Sequence, residues 1–84
     1  MYSVSITSRA ERELRRIDKQ MKSRVSSAIA DLAAEPRPVG YRKVRSEQNV
    51  LRIRIGDYRV GYTILDDTKE VLVIRVAHRS EFYE

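Results

Sequence analysis

Cysteine is absent from this 84-residue sequence, and it has one histidine, three glycines and two prolines. Without cysteine neither a disulfide nor a thiolate metal site can form, which fits a reducing cytoplasm. With one histidine, the constellations of zinc motifs and serine-type triads do not appear, and no glycine-rich phosphate loop is present. No apolar run approaches the ~20 residues of a membrane span. Met1 to Thr7 alternate polar and apolar and lack a signal-peptide core. The expectation is a cytoplasmic protein with no membrane association, no metal and no cofactor.

What is present is positive charge: 17 Lys and Arg against 12 Asp and Glu, a formal net charge of +5. Such an excess favours polyanionic partners, whether nucleic acid, an acidic protein or an anionic surface. The length suits a single domain over 1–84. A domain this small buries only about 60% of the surface of its unfolded chain. Chemistry is therefore expected on an open face or shallow groove.

No internal repeat or linker interrupts the chain. Tyr2-Ser3-Val4-Ser5-Ile6-Thr7 alternates with period two and predicts a strand. Ser8-Arg9-Ala10-Glu11 matches a capping box, and Ala10, Leu14, Ile17 and Met21 follow at helical spacing. Asp18 suits the cap of a second helix, whose stripe runs through Val25, Ala28, Ile29 and Leu32. That helix should stop near Glu35, because Pro36 disfavours helical geometry before it.

Tyr41 to Arg45 predicts a short strand. Leu51, Ile53 and Ile55 alternate with Arg52 and Arg54, and Gly56-Asp57 signals a tight hairpin turn into the alternating run Tyr58 to Ile64. After the turn at Asp66 to Lys69, Glu70 to His78 is rich in β-branched residues. The order is β-α-α-β-β-β(-β), an α+β fold with an antiparallel sheet, a helical hairpin on one face and a basic groove on the other.

Strand alternation then sorts the side chains. With Leu51, Ile53, Ile55, Val60, Tyr62, Ile64, Leu72, Ile74 and Val76 toward the helices, Arg52, Arg54, Arg59, Arg75 and Arg79 fall on the opposite face. Any one arginine on an exposed sheet face is ordinary. Five together repel one another, and a guanidinium-lined surface suits bidentate phosphate recognition. Gly61, in mid-strand, marks either a close approach by a ligand or backbone, or a packing accommodation or bulge.

Gly56-Asp57-Tyr58-Arg59-Val60-Gly61-Tyr62, then Val76-Ala77-His78-Arg79 and Ser80-Glu81-Phe82-Tyr83, resembles the C-terminal half of RelE/ParE superfamily toxins. The opening strand, the paired helices, the Pro36 turn and Lys43-Val44-Arg45 fall in the expected order, so the resemblance covers essentially the whole chain. It implies the toxin of a type II toxin–antitoxin system, RelE-like in branch. Such a toxin is a metal-independent endoribonuclease that cuts messenger RNA in the ribosomal A site by 2′-hydroxyl attack on the adjacent phosphate. The family positions imply that Arg52 and Arg54 are basic site residues, that Arg59 and Arg79 hold the scissile phosphate, and that Tyr83 stacks on or orients a base. Lys43, Arg45 and Arg75 are expected to bind RNA.

Familiar RelE members carry lysines where this chain has Arg52 and Arg54, and arginine is a poor general base. Either the arginines act as electrostatic clamps or another residue takes the proton. His78 is the candidate, with Lys43, Glu47 and Glu81 behind it; strand parity sets His78 with the apolar residues. Phe82 and Tyr83 have either a stacking or a tail-packing role. The implied partners are a cognate antitoxin, messenger RNA and the ribosome, and operator DNA only through the antitoxin complex. The alternative within the superfamily is a ParE-like inhibitor of DNA gyrase without nuclease activity.

Overall fold

The computed structural model describes residues 1–82. Its elements are β1 (Ser3–Ile6), α1 (Ser8–Arg16), α2 (Lys19–Asp31), β2 (Arg42–Lys43), β3 (Leu51–Ile55), β4 (Tyr58–Leu65) and β5 (Glu70–His78). They form one five-stranded sheet in the order β1-β5-β4-β3-β2. The α+β class and element order match the sequence reading. One feature of the sheet differs. β1 joins β5 in parallel, Val4 opposite Val71, so the sheet is mixed.

Both helices start at side-chain caps. Thr7, rather than Ser8, caps α1: its Oγ1 accepts the Ala10 amide at 3.2 Å. The cap thus lies one residue before the capping-box spacing, because Thr7 still has the extended backbone that a cap needs. Asp18 caps α2 as expected, accepting the Met21 amide at 3.1 Å. α2 ends at Asp31, earlier than Pro36 alone requires. The next amides, from Leu32 to Ala34, each bond the carbonyl three residues back, the tighter winding common at helix ends.

The apolar stripes of both helices meet one face of the sheet. Val25, Leu32, Val60, Tyr62, Val71, Val73 and Val76 are fully buried there. Tyr62 is the largest of them. Its hydroxyl donates to the Pro36 carbonyl at 2.7 Å, fastening the loop after α2 to the core. Burial pushes the Tyr62 phenol up to about 12.

The expected parity of β5 holds only in its second half. Gly61 pairs with Arg75 but Tyr62 pairs with Val73, leaving Ile74 as an extra residue in a bulge. A bulge shifts the alternation by one. Val71 and Val73 therefore join Val76 in the core, whereas Leu72 and Ile74, assigned above to the helix side, are only half-buried. Alternation read from sequence carries through a strand only while the pairing is unbroken.

Tyr62→Phe strands a buried carbonyl and should lower stability by ~1–3 kcal/mol at neutral pH in urea unfolding. The raised phenol contributes stability that is complete below its ordinary value of 10.0 and is lost as pH climbs toward about 12. The gap between wild type and Tyr62→Phe should accordingly narrow above pH 10.0. A pH-independent gap contradicts this.

Candidate nucleic-acid interface

The face of the sheet turned away from the helices is built from two registers. In the first, Arg42 pairs with Arg52, Arg52 with Gly61 and Gly61 with Arg75. In the second, Arg54 pairs with Arg59 and Arg59 with Ala77. Five arginines thus share one face over four adjacent strands. The hairpin turn bounds it: Gly56 takes φ +59, which glycine adopts without strain, while Asp57 keeps a negative φ.

These arginines are not equivalent. Arg52 and Arg59 retain 5% and 8% of their exposure, contrary to the expectation of a solvated row. Arg42 and Arg54 are exposed. Arg79 is exposed at the end of β5, where its amide donates to the Asp57 carbonyl at 2.7 Å and its Nε stands 3.9 Å from Asp57 Oδ1. Arg54, Arg59 and Arg79 accordingly gather at the hairpin end of the sheet.

Gly61 has a clear packing reason. A Cβ there would lie 3.0 Å from Phe82 Cζ, so the ring of the C-terminal tail occupies the space above the glycine. Phe82 buries itself with Val44, Val50 and Ala77 in a second small core on this face. The Arg75 guanidinium lies 5.8 Å from the ring centroid, a cation–π distance. Of the two roles open for Phe82, packing of the tail is the one it adopts. Tyr83 lies outside the described residues.

Glu13 of α1 is a feature that the sequence reading missed. Its carboxylate accepts the Val76 amide at 2.8 Å and Arg75 Nε at 3.3 Å, with Arg9 Nε at 3.6 Å. β1 covers the edge of β5 only as far as Val73. Beyond that point a helix carboxylate takes the strand amide instead. An acid among the cations of α1 was the available signal, but its target required the sheet order.

The structure separates other predicted residues from the arginine face. His78 pairs with Tyr58 and meets its ring edge-on, centroids 5.6 Å apart, on the helix side. The Ser80 amide donates to His78 Nδ1 at 3.2 Å, which places the ring proton of the neutral form on Nε2. Glu81 lines the same shallow recess as His78. Lys43 pairs with Leu51 and so takes the helix side, where it lines an open groove with Arg37, Tyr41 and Ile64. Arg45 and Glu47 are exposed in the loop after β2. Arg42, not singled out from sequence, stands on the arginine face, because the β2 register sets it opposite Arg52. Among the described residues, no three His, Cys, Asp or Glu side chains gather as a metal site.

This surface offers exposed guanidinium forks over buried positive charge, which is suited to a phosphodiester lying across strands β3 to β5. It offers no general base among its arginines.

A family model described as the ParE toxin of the type II toxin–antitoxin system parDE matches residues 4–83. The chain is 34% identical over 83 residues to toxin RelG of Mycobacterium tuberculosis, covering 98% of this chain and 95% of that protein. To toxin RelE of the same organism it is 32% identical, with 98% and 86% covered. Among solved structures, the RelBE2 toxin–antitoxin complex of M. tuberculosis superposes with a TM-score of 0.82 at 31% identity, over 93% of this chain and 98% of that one. The isolated Escherichia coli RelE toxin shares the fold, with a TM-score of 0.78 at 22% identity over 93% and 84% of the two chains.

Gly61→Ala should drive the Phe82 ring off the sheet, lowering stability by ~1–3 kcal/mol and exposing the tail to proteolysis. Gly61→Ala combined with Phe82→Ala should recover part of that loss. A tolerated single substitution with an unchanged cleavage pattern contradicts the close contact.

Proposed function

The chain belongs to the ParE toxin family of type II toxin–antitoxin systems, and from that membership we propose that it is a messenger-RNA endoribonuclease that works with the ribosome. Its branch follows the relatives at 34% and 32% identity, which are named RelG and RelE. The observation that carries the reading is the arginine pairing Arg54–Arg59 beside Arg79, on a sheet face free of the helices.

In this reading the 2′-oxygen of the RNA attacks the neighbouring phosphorus, a 2′-O–P bond forms and the P–O5′ bond breaks. The 2′-hydroxyl proton passes to water and the 5′-oxygen takes one from water. Arg54 and Arg79 contact the phosphate from the solvent side. Arg52 and Arg59 supply fixed positive charge from beneath, where partial burial strengthens its effect on the developing negative charge. Arg42 binds a flanking phosphate, and Tyr83 stacks on a base. His78 stays outside this set because it stands on the helix side with Nδ1 engaged by Ser80. The reaction requires no metal or cofactor.

The partner is a cognate antitoxin that silences the toxin, as the RelBE2 neighbour, a toxin–antitoxin complex, supports. Operator DNA is reached only through that complex. The matching ParE description favours one second reading, inhibition of DNA gyrase without RNA cleavage.

Purified protein should cut a defined messenger RNA within A-site codons when programmed ribosomes are present, and leave free RNA intact in EDTA. Cleavage of free RNA in EDTA would remove the ribosome from the account. Intact RNA in both arms, with gyrase supercoiling blocked, would establish the second reading. Arg54→Ala and Arg79→Ala should each slow cleavage by about 10²-fold or more with unchanged melting temperature. Arg59→Ala should lower both cleavage and stability, since that side chain is buried.

A further inference from the structure

The helices carry a second basic surface. Seven of the 17 Lys and Arg and three of the 12 Asp and Glu lie between Ser8 and Arg24, a surplus of four against five for the whole chain. With Asp31 at its end counted, the helical hairpin keeps a surplus of three, the larger share of the net charge.

The local ion pairs leave much of this charge uncompensated. Glu11 holds Arg15, and Glu13 holds Arg9 and Arg75. Among the described residues, no carboxylate lies within ion-pair distance of Arg12, Arg16, Lys19 or Lys22. Arg12 and Arg16, four apart, share one stripe of α1 and are exposed. Lys19, exposed at the first turn of α2, continues the run past the corner at Ile17 and Asp18. A cation at a helix N-terminus opposes the helix dipole, so neither helix stability nor local pairing accounts for Lys19.

The chemistry of the surface narrows its ligand. Its helices contain no aromatic residue, so it offers no platform for unpaired bases. Among the described residues, the large exposed hydrophobic side chains are Met1, Val39 and Leu65, none of them on a helix. The surface therefore lacks the apolar anchors that an amphipathic protein segment or a lipid bilayer engages. What it presents is guanidinium and ammonium groups with the exposed hydroxyls of Ser23 and Ser26, the groups that contact a sugar–phosphate backbone.

We infer that the outer face of α1 and α2 docks on the phosphate backbone of double-stranded RNA. A duplex keeps its bases inside and presents regularly spaced phosphates, which matches a charged surface without stacking groups. The choice of RNA over DNA rests on the function proposed above. The helices cover one face of the sheet and the arginine registers occupy the other. The protein can thus hold structured RNA on one side while a single strand lies on the other.

The test is fluorescence anisotropy of the full chain with a blunt RNA duplex two helical turns long. A DNA duplex of the same sequence, an unstructured RNA strand and vesicles containing phosphatidylserine form the other arms. The triple variant Arg12→Glu, Arg16→Glu, Lys19→Glu should bind the RNA duplex about tenfold or more weakly at 0.1 M salt. Its salt slope should fall by about one for each phosphate that the variant no longer neutralises. The triple glutamine variant, which guards against misfolding from charge reversal, should shift the same way by less. Wild-type duplex affinity in both triple variants, or preference for the DNA duplex, the single strand or the vesicles, overturns the inference. If duplex binding depends on these residues in a protein that cuts no messenger RNA, only the nuclease reading fails. If messenger RNA is cut while the triple variants bind duplex normally, only this surface fails.

Discussion

The fold hinges on how β5 is completed along its length. It pairs with β4 throughout, but β1 reaches only to Val73 on its other side. Past that point Val76 would present an open amide, and the Glu13 carboxylate of α1 accepts it at 2.8 Å. A charge-assisted bond from a helix to a strand edge is among the stronger hydrogen bonds available to a small domain. It sets α1 against β5. It also holds Arg75, whose guanidinium meets the Phe82 ring above Gly61. One carboxylate thus links the helical layer, the sheet edge and the tail that lies on the arginine face.

Much of this architecture was legible in the amino-acid sequence because short-range signals agree. The alternation around Gly56-Asp57 marks the β3–β4 hairpin, and Asp18 marks the break between helices. The Thr7 cap differs from the sequence pattern by one residue, since two adjacent hydroxyls satisfy nearly the same spacing. The bulge at Ile74 is invisible in sequence, because an unbroken β-branched run reads alike in either phase. Only the pairing of Gly61 with Arg75 and Tyr62 with Val73 reveals it.

The arginine cluster was legible as a face but not as a set of depths. Alternation puts Arg52, Arg54 and Arg59 together, and the register agrees. It carries no information on depth, so the burial of Arg52 and Arg59 does not follow from it. The phase of the two-residue strand β2 is set by its partner, not by its own residues, and it turns Arg42 rather than Lys43 toward the arginines. His78 illustrates the reverse case: parity sets it among the apolar residues, and it stands beside Tyr58. The arginine face is electrostatic in character, with charge fixed by the sheet, and its arginines include no general base.

In the proposed reaction this face acts on RNA through the substrate's own 2′-hydroxyl. The direct test replaces the ribose on the 5′ side of a mapped cut by 2′-deoxyribose in an otherwise identical message on programmed ribosomes. Cleavage at that position should disappear, while the unmodified message is cut and leaves a 2′,3′-cyclic phosphate end. Cleavage of the deoxy-substituted message at an unchanged rate would contradict the proposed chemistry.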